Sequence, residues 1–324
     1  MLTRLLLGGL VIPAWLLVVT LAPLPAQVER LRLGLPSVSP VYVPLMLGLR
    51  EGHFRHEGLE VQIIQTTGII AVKAMLAGEM HLTGAVGSTV EAAIRGVPVK
   101  VLFVGEKVLF DLIAQPEVKA FSDLRGKTVG STGLGSFDHA VVREILARNG
   151  LDPDKDVVII NAGPPAQRYT ALKARSVAAA LLPLHRNLQA AGEGFTRLAF
   201  AGDYVEHVQA GITTADRVIQ RQPQPLQRFI RALLRAHLLY QERRELALSM
   251  IMSYLDIKDA AFAQKVYEYH LRALIPQGVI PESTMLAIIE RQKRTAKVTK
   301  EVTVAEVFDF NFARKAAEEV KAAR

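Results

Sequence analysis

Residues 82–104 read LTGAVGSTVEAAIRGVPVKVLFV, and this stretch decides the fold class. Leu82 to Val86 predicts a short strand, and residues 88–95 space their apolar side chains like one face of a helix that Gly96 ends. Val99 to Val104 is almost wholly apolar, which predicts a buried strand. Two strands joined by a helix within so few residues are typical of a parallel crossover unit.

The same alternation of strands and helices continues on both sides of this stretch. Upstream, strands are expected over residues 31–35 and 59–64, with helices over residues 44–52 and 69–78. Downstream, the pattern restarts after residue 116, with strands expected over 127–130, 157–160, 177–182 and 198–201, and helices over 138–149, 165–174 and 184–191. Each half therefore predicts a parallel sheet with helices on both faces.

The remainder of the chain, from about residue 215, is predicted to be almost entirely helical and is punctuated by prolines. The expected helices span residues 215–221, 223–242, 244–254, 259–274, 282–294 and 305–320.

A length of 324 residues is enough for about two domains or lobes. Two short apolar segments, Phe110 to Gln115 and Val208 to Thr213, are placed to link them as strands. We predict an α/β protein with two lobes, two crossing strands and a helical C-terminal tail, the architecture of a hinge-closing binding protein. The first lobe is expected to comprise residues 27–112 and 212–324, and the second residues 113–211.

The first 26 residues predict an export signal. Arg4 is the only charged residue before Glu29, an uncharged and mostly apolar run extends from Leu5 to Leu24, and the small Ala26 suits a cleavage site. The alternative is an uncleaved anchor helix, because the apolar run approaches the length that spans a membrane.

The amino-acid composition excludes several kinds of functional site from this chain. The chain has no cysteine, which excludes disulfides, zinc–cysteine sites, thiol nucleophiles and a lipid-modified N-terminal cysteine. Its eight histidines are scattered without the spacing of a metal site, so we expect no metal and no cofactor. The net charge of +8 is dispersed over the predicted helices, which favours solvated helix faces over a nucleic-acid surface.

Several short motifs follow one another along the chain. They are Pro44–Phe54, Glu57–Val61, Ala71–Glu79, Gly96–Val101 and Asp123–Gly130. In this order and spacing the chain resembles, from about residue 31 to 312, the substrate-binding proteins of ABC importers for sulfonate, taurine, nitrate and thiamine precursors. This is the SsuA/THI5-like, or NMT1-like, family.

The resemblance implies a type II periplasmic-binding-protein fold with a ligand held between the lobes. It also implies an ABC permease and an ATPase as partners. Members of the family often carry an acidic residue in the strand near residues 177–180. Here Ser176–Pro183 lacks that acid and keeps the proline, so the resemblance leaves the identity of the ligand open.

Ligands of open α/β sheets bind beyond the carboxyl ends of the strands. Five predicted loops occupy that position and are rich in glycine, serine and threonine, with Asp138 the one carboxylate near them: 36–42, 65–68, 86–89, 131–137 and 182–185. Free N–H groups and helix N-termini in such loops suit an anion or a strong acceptor. The alternative is a set of ordinary helix caps and turns.

These loops supply the candidate ligand-binding residues, which are Ser39, Tyr42, Thr67, Gly68, Ser88, Gly135, Ser136, Phe137 and His185. Tyr42 and Phe137 are placed to stack on a planar ligand from opposite sides of a cleft, unless either is a core aromatic residue. His185 is interpreted as a polar lining residue rather than a catalytic base.

We predict a non-catalytic, monomeric, periplasmic solute-binding protein that delivers a small ligand to an ABC importer. The uncharged loops favour a small anionic or neutral planar molecule, such as a sulfonate, nitrate, a carboxylate or a pyrimidine. One alternative is a membrane-anchored ligand-sensing subunit that keeps residues 1–26. The other is a THI5-like pyrimidine-synthesis enzyme, whose cysteine-rich motif this chain lacks.

Overall fold

The structure is a computed structural model that describes residues 28–204, 208–275 and 277–323. The predicted export signal, residues 1–26, lies outside the described residues, as do the side chains of Phe137 and Gln209. Within the described part of the chain, no helix is long and apolar enough to cross a membrane.

Ten strands in the described residues form two five-stranded sheets. They are β1 (Glu29–Leu35), β2 (Leu59–Gln65), β3 (Leu82–Thr83), β4 (Val99–Lys107), β5 (Phe110–Ala114), β6 (Thr128–Ser131), β7 (Val158–Asn161), β8 (Ala179–Pro183), β9 (Thr196–Phe200) and β10 (Val208–Ala215). The first sheet has the order β2-β1-β3-β10-β4, and the second has the order β7-β6-β8-β5-β9. Each sheet is the centre of one lobe.

Both sheets are mixed, so the expectation of parallel sheets is wrong in part. In the first sheet β1 runs parallel to β2 and β3, whereas β10 runs antiparallel to β3 and β4. In the second sheet β6 runs parallel to β7 and β8, whereas β5 runs antiparallel to β8 and β9. The antiparallel strands are the two that follow a passage between sheets, where no helical crossover keeps neighbouring strands parallel.

Fourteen α-helices of the described residues cover these sheets. They are α1 (Val43–Arg50), α2 (His53–His56), α3 (Gly68–Ala77), α4 (Val86–Ile94), α5 (Phe137–Arg148), α6 (Pro165–Lys173), α7 (Leu184–Gly192), α8 (Asp216–Arg221), α9 (Pro223–Glu242), α10 (Arg244–Leu255), α11 (Ala260–Leu271), α12 (Glu282–Ala296), α13 (Val304–Val307) and α14 (Asn311–Ala322). Helices α3, α4, α9, α12 and α14 share one apolar core with the first sheet. The second sheet and α5 enclose a smaller one.

Most predicted elements differ from the structure only in their end residues, and two in the first lobe need comment. The strand expected over residues 82–86 ends at Thr83, because Val86 already begins α4. The helix expected over 44–52 corresponds to α1, which ends at Arg50; Gly52 then adopts a left-handed conformation with φ of +80°, and the short helix α2, which was not predicted, follows it. These changes leave the order of elements as predicted.

The last predicted helix, residues 305–320, is divided into α13 and α14. Phe308 leaves the helical conformation and forms a parallel bridge with Val101, which closes the outer edge of β4. Phe308 and Phe310 are both buried and join the core of the first lobe. The apolar contacts of these two rings offset the hydrogen bonds that a continuous helix would have made.

The chain passes from the first sheet to the second between β4 and β5, and it returns between β9 and β10. The expected lobe limits at residues 112 and 212 fall inside β5 and β10, each of which pairs within one sheet. The exact division of the chain into lobes stays a prediction. A third apolar cluster joins the lobes beside these passages, where Leu184 of α7 packs with α10 and α11.

A buried polar network lies at the end of β4 and the start of β10, beside both passages. Glu106, near the end of β4 and opposite Ala210 of β10, is fully buried, and its Oε1 lies 2.5 Å from Nε2 of His270 in α11. Nδ1 of the same imidazole lies 2.7 Å from the hydroxyl of Tyr240 in α9. The network therefore ties the end of β4, beside the passage to the second sheet, to two of the C-terminal helices.

Replacing His270 by alanine should lower the free energy of unfolding by about 3 kcal/mol, because it leaves the buried carboxyl group of Glu106 without its partner. Chemical denaturation followed by circular dichroism measures this loss. Lys258→Ala is the control, since Lys258 pairs with Asp256 on the surface and should contribute little. Equal losses in the two variants would contradict the role given to the buried pair.

Candidate functional site

A cavity of about 100 Å³ lies between the two lobes. The first lobe lines it with the loop after β1, the start of α3 and the segment from Gly84 to Ser88. The second lobe contributes Phe110, Thr132, Ser136, Asp138, Pro165 and Arg168. Because both lobes supply walls, a molecule bound here would contact both of them at once.

Four helices begin at this cavity. Gly68 starts α3, Val86 starts α4, Ser136 is the N-cap of α5 and Pro165 starts α6, and all four residues line the cavity. Helix N-termini carry unpaired N–H groups and a partial positive charge. Their convergence favours a negatively charged group or a strong hydrogen-bond acceptor in the cavity.

Two glycines allow the walls of the first lobe to approach closely. A Cβ on Gly68 would lie 2.5 Å from Oγ of Ser88, and a Cβ on Gly84 would lie 2.8 Å from Cε1 of Tyr42. The hydroxyl of Tyr42 donates to the carbonyl of Gly84 at 3.3 Å. Burial, followed by the nearby Tyr254, raises the pKa of the Tyr42 hydroxyl well above its ordinary value, so Tyr42 stays a neutral wall of the cavity.

The charged groups in the cavity lining form a pair within the second lobe. Nη1 of Arg168 lies 2.6 Å from Oδ2 of Asp138, donates to the carbonyl of Gly163 at 3.2 Å and donates to the hydroxyl of Thr132. The Thr132 hydroxyl in turn donates to the same Asp138 oxygen. Asp138 also lies in the first turn of α5, where the helix dipole stabilises a carboxylate.

Several buried polar atoms of the lining have no hydrogen-bond partner among the residues that the structure describes. They are Nε and Nη2 of Arg168 and Oγ of Ser39. Arg168 is fully buried, and Ser39 is only 3% exposed. A buried donor without a partner costs free energy, so these groups are the ones that gain most from contact with a ligand.

The structure brings five of the nine candidate residues into the cavity lining: Ser39, Tyr42, Gly68, Ser88 and Ser136. Thr67 and Gly135 precede α3 and the cap of α5 and are not part of the lining. Phe137 begins α5, but its side chain lies outside the described residues, so the stacking expected with Tyr42 stays a prediction.

His185 lies away from this cavity, contrary to its expected position in the lining. It is buried at the start of α7 and lines a separate cavity of about 370 Å³ between α7 and the α10–α11 connection. Burial, with a smaller contribution from Arg186, lowers the pKa of His185 to about 3, so its imidazole is neutral at pH 7. His185 therefore faces the α10–α11 connection and is not among the residues that line the cavity with Tyr42 and Arg168.

The sequence interpretation missed Arg168. It considered loops and helix starts, whereas Arg168 lies inside α6, three residues after Pro165. The signal that would have found it is the loop after β7, a sixth loop at the carboxyl end of a strand in the same sheet. Its discovery changes the expected chemistry, because an arginine now lies among the uncharged loops.

A group of three or more histidine, aspartate or glutamate side chains that could hold a metal ion is absent from the described residues.

The sequence of the chain matches a known protein family over most of its length. The sequence profile of the family described as NMT1/THI5 like matches residues 39–244. The chain belongs to the NMT1/THI5-like family. The match begins at the cavity residue Ser39 and includes all the residues that line the cavity except Pro36 and Ser37. No curated protein sequence matches the chain.

Solved structures share the fold at low sequence identity. A protein from Bordetella bronchiseptica RB50 is 23% identical with a TM-score of 0.80, over 90% of this chain and 98% of that one. The alkanesulfonate-binding protein SsuA from Xanthomonas axonopodis pv. citri, bound to MOPS, is 18% identical with a TM-score of 0.71, over 88% and 100%. The periplasmic nitrate-binding protein NrtA from Synechocystis PCC 6803 is 14% identical with a TM-score of 0.75, over 91% and 90%.

These findings confirm the predicted family and the two-lobed periplasmic-binding-protein fold with its helical C-terminal region.

The buried His185 should make the stability of the protein depend on pH. Because its pKa is lowered in the folded state, the unfolded state takes up a proton first as the pH falls below about 6.5. Acidification from pH 7 to 5 should then cost about 2 kcal/mol through this one side chain. Chemical denaturation at both values should show a smaller loss for His185→Gln than for the parent protein.

Leu188→Ala on the same helix is the control for this experiment, because it removes an apolar contact without a titrating group. It should lower stability at both pH values and keep the parental difference between them. A His185→Gln variant with the parental pH dependence would contradict the buried, neutral state of this histidine.

Proposed function

We propose that this chain is an extracytoplasmic solute-binding protein that captures a small anionic or neutral planar organic ligand and delivers it to an ABC importer. One observation carries the proposal: the cavity is built from both lobes, and the lobes are joined by the passages before β5 and β10. A ligand that contacts both walls binds the closed arrangement more tightly than the open one and therefore shifts the population toward closure.

The chemistry of the lining supports a small ligand of low charge. Its ionisable pair, Arg168 and Asp138, is internally neutralised, and four helix N-termini add positive potential. The volume of about 100 Å³ lies below the roughly 300–1,000 Å³ of sites for drug-sized molecules. Sulfonates, nitrate, carboxylates and pyrimidines are the candidate classes, and the alkanesulfonate and nitrate binders of the same fold fit this set.

Delivery to an importer requires a location outside the cytoplasm and a membrane partner. The predicted export signal at residues 1–26 supports a periplasmic location, and the family resemblance supports a permease and an ATPase as partners. N-terminal sequencing of the exported protein separates this function from membrane-anchored sensing. A chain that retained residues 1–26 would contradict a freely diffusing carrier.

The proposed function predicts that at least one compound among sulfonates, carboxylates, nitrate and pyrimidines raises the melting temperature and lowers the radius of gyration measured by small-angle X-ray scattering. Gly68→Val should abolish both effects, because a side chain at this position meets Ser88 and fills the cavity. Gly192→Val is the matched control, since a Cβ at Gly192 has open space around it.

Two results would contradict the proposal. One is the absence of any stabilising compound together with an unchanged radius of gyration. The other is a Gly68→Val variant that binds as tightly as Gly192→Val, which would place the ligand outside this cavity.

A further inference from the structure

We propose that Arg168 and Asp138 together set the charge selectivity of the cavity. The unpaired edge of Arg168 receives an oxyanion group that carries a single charge, and Asp138 excludes an anion that carries two. This assignment rests on the proposed function, because it concerns the ligand of the same cavity.

The hydrogen bonds of Arg168 divide its guanidinium into a used side and an unused side. Nη1 is occupied by Asp138, Gly163 and Thr132. Nε and Nη2 have no partner in the described part of the chain. These two nitrogens form one edge of the planar group, with parallel N–H bonds that match two oxygens on one carbon, nitrogen or sulfur atom.

The fixed position of the guanidinium makes this edge a preorganised binding site for an oxyanion. Arg168 is fully buried, its Nη1 is held by three groups, and its side chain lines the cavity. An arginine held in this way loses little conformational freedom when it binds. Two buried donors without partners also impose a desolvation cost that an incoming oxyanion removes.

A charged oxyanion satisfies this edge better than a neutral molecule does. Hydrogen bonds from arginine to an ionised acceptor are about twice as strong as those between neutral groups. The starts of α3, α4, α5 and α6 add positive potential that acts on a charge. The geometry therefore separates the candidate classes and favours a sulfonate, a carboxylate or nitrate over a pyrimidine.

Asp138 limits how much negative charge the cavity accepts. Its carboxylate lies 2.6 Å from Arg168 and lines the same cavity, so the pair has no net charge before a ligand binds. A single negative charge is offset by the shared arginine and the helix N-termini. A second negative charge would face the carboxylate of Asp138 without a further cationic side chain in the described lining.

Three tetrahedral sulfur compounds of similar size test both parts of the proposal. They are methanesulfonate with one negative charge, sulfate with two and dimethyl sulfone with none, titrated into the full-length protein by calorimetry or ligand-observed NMR. The parent protein should bind methanesulfonate at least tenfold more tightly than either of the others.

Arg168→Gln should weaken methanesulfonate binding at least tenfold and leave dimethyl sulfone unchanged. Asp138→Asn should tighten sulfate binding at least tenfold relative to methanesulfonate, a gain that loss of folding cannot produce. Arg143→Gln and Asp154→Asn are the matched controls, because this pair is bidentate, lies on the surface of the same lobe and is not part of the cavity. Both controls should keep the parental selectivity.

The selectivity proposal is overturned if Arg168→Gln binds methanesulfonate like the parent, if Asp138→Asn keeps the parental ratio of sulfate to methanesulfonate, or if the parent binds none of the three. Failure here differs from failure of the proposed function. A neutral compound that stabilises and closes the protein, with equal affinity for Arg168→Gln, would contradict only the role of Arg168.

Discussion

The chain passes between two separate sheets twice, and the rest of the structure depends on this constraint. β4 leads into β5 and β9 leads back into β10, so each lobe is completed by a strand that arrives from the other. Phe110, the first residue after the outward passage, lines the cavity, and Glu106, just before it, is fixed by His270. The cavity therefore lies beside the two passages about which the lobes close in the proposed function.

The two lobes make different contributions to the site. The first lobe supplies closely packed glycines, Ser39 and the start of two helices, all without charge. The second lobe supplies the pair of Arg168 and Asp138. In the proposed function, this division lets the second lobe recognise the charged group of the ligand while the first closes over it with backbone and hydroxyl groups, so that affinity depends on closure.

Local sequence predicted the elements and the position of the cavity because these follow from short-range patterns. Apolar periodicity located the strands, and the rule that ligands bind beyond strand ends identified the loops that carry Gly68 and Ser88. The features that local sequence did not predict depend on contacts between residues that are distant along the chain. Arg168 enters the lining only through the placement of α6, and Phe308 interrupts a helical pattern because it pairs with Val101. Likewise, β5 and β10 run antiparallel to their neighbours, and this orientation depends on the sheet that each strand joins.

If ligand binding closes the two lobes about the two passages, a distance measured across the cleft shortens when ligand is added. The sequence contains no cysteine, so Ile70→Cys in α3 and Leu134→Cys before α5 introduce unique positions for spin labels at exposed side chains, one in each lobe. Double electron–electron resonance with and without the most stabilising compound then reports the separation. Closure of the lobes predicts a shorter and narrower distance distribution with ligand. Identical distributions in the two samples would contradict it.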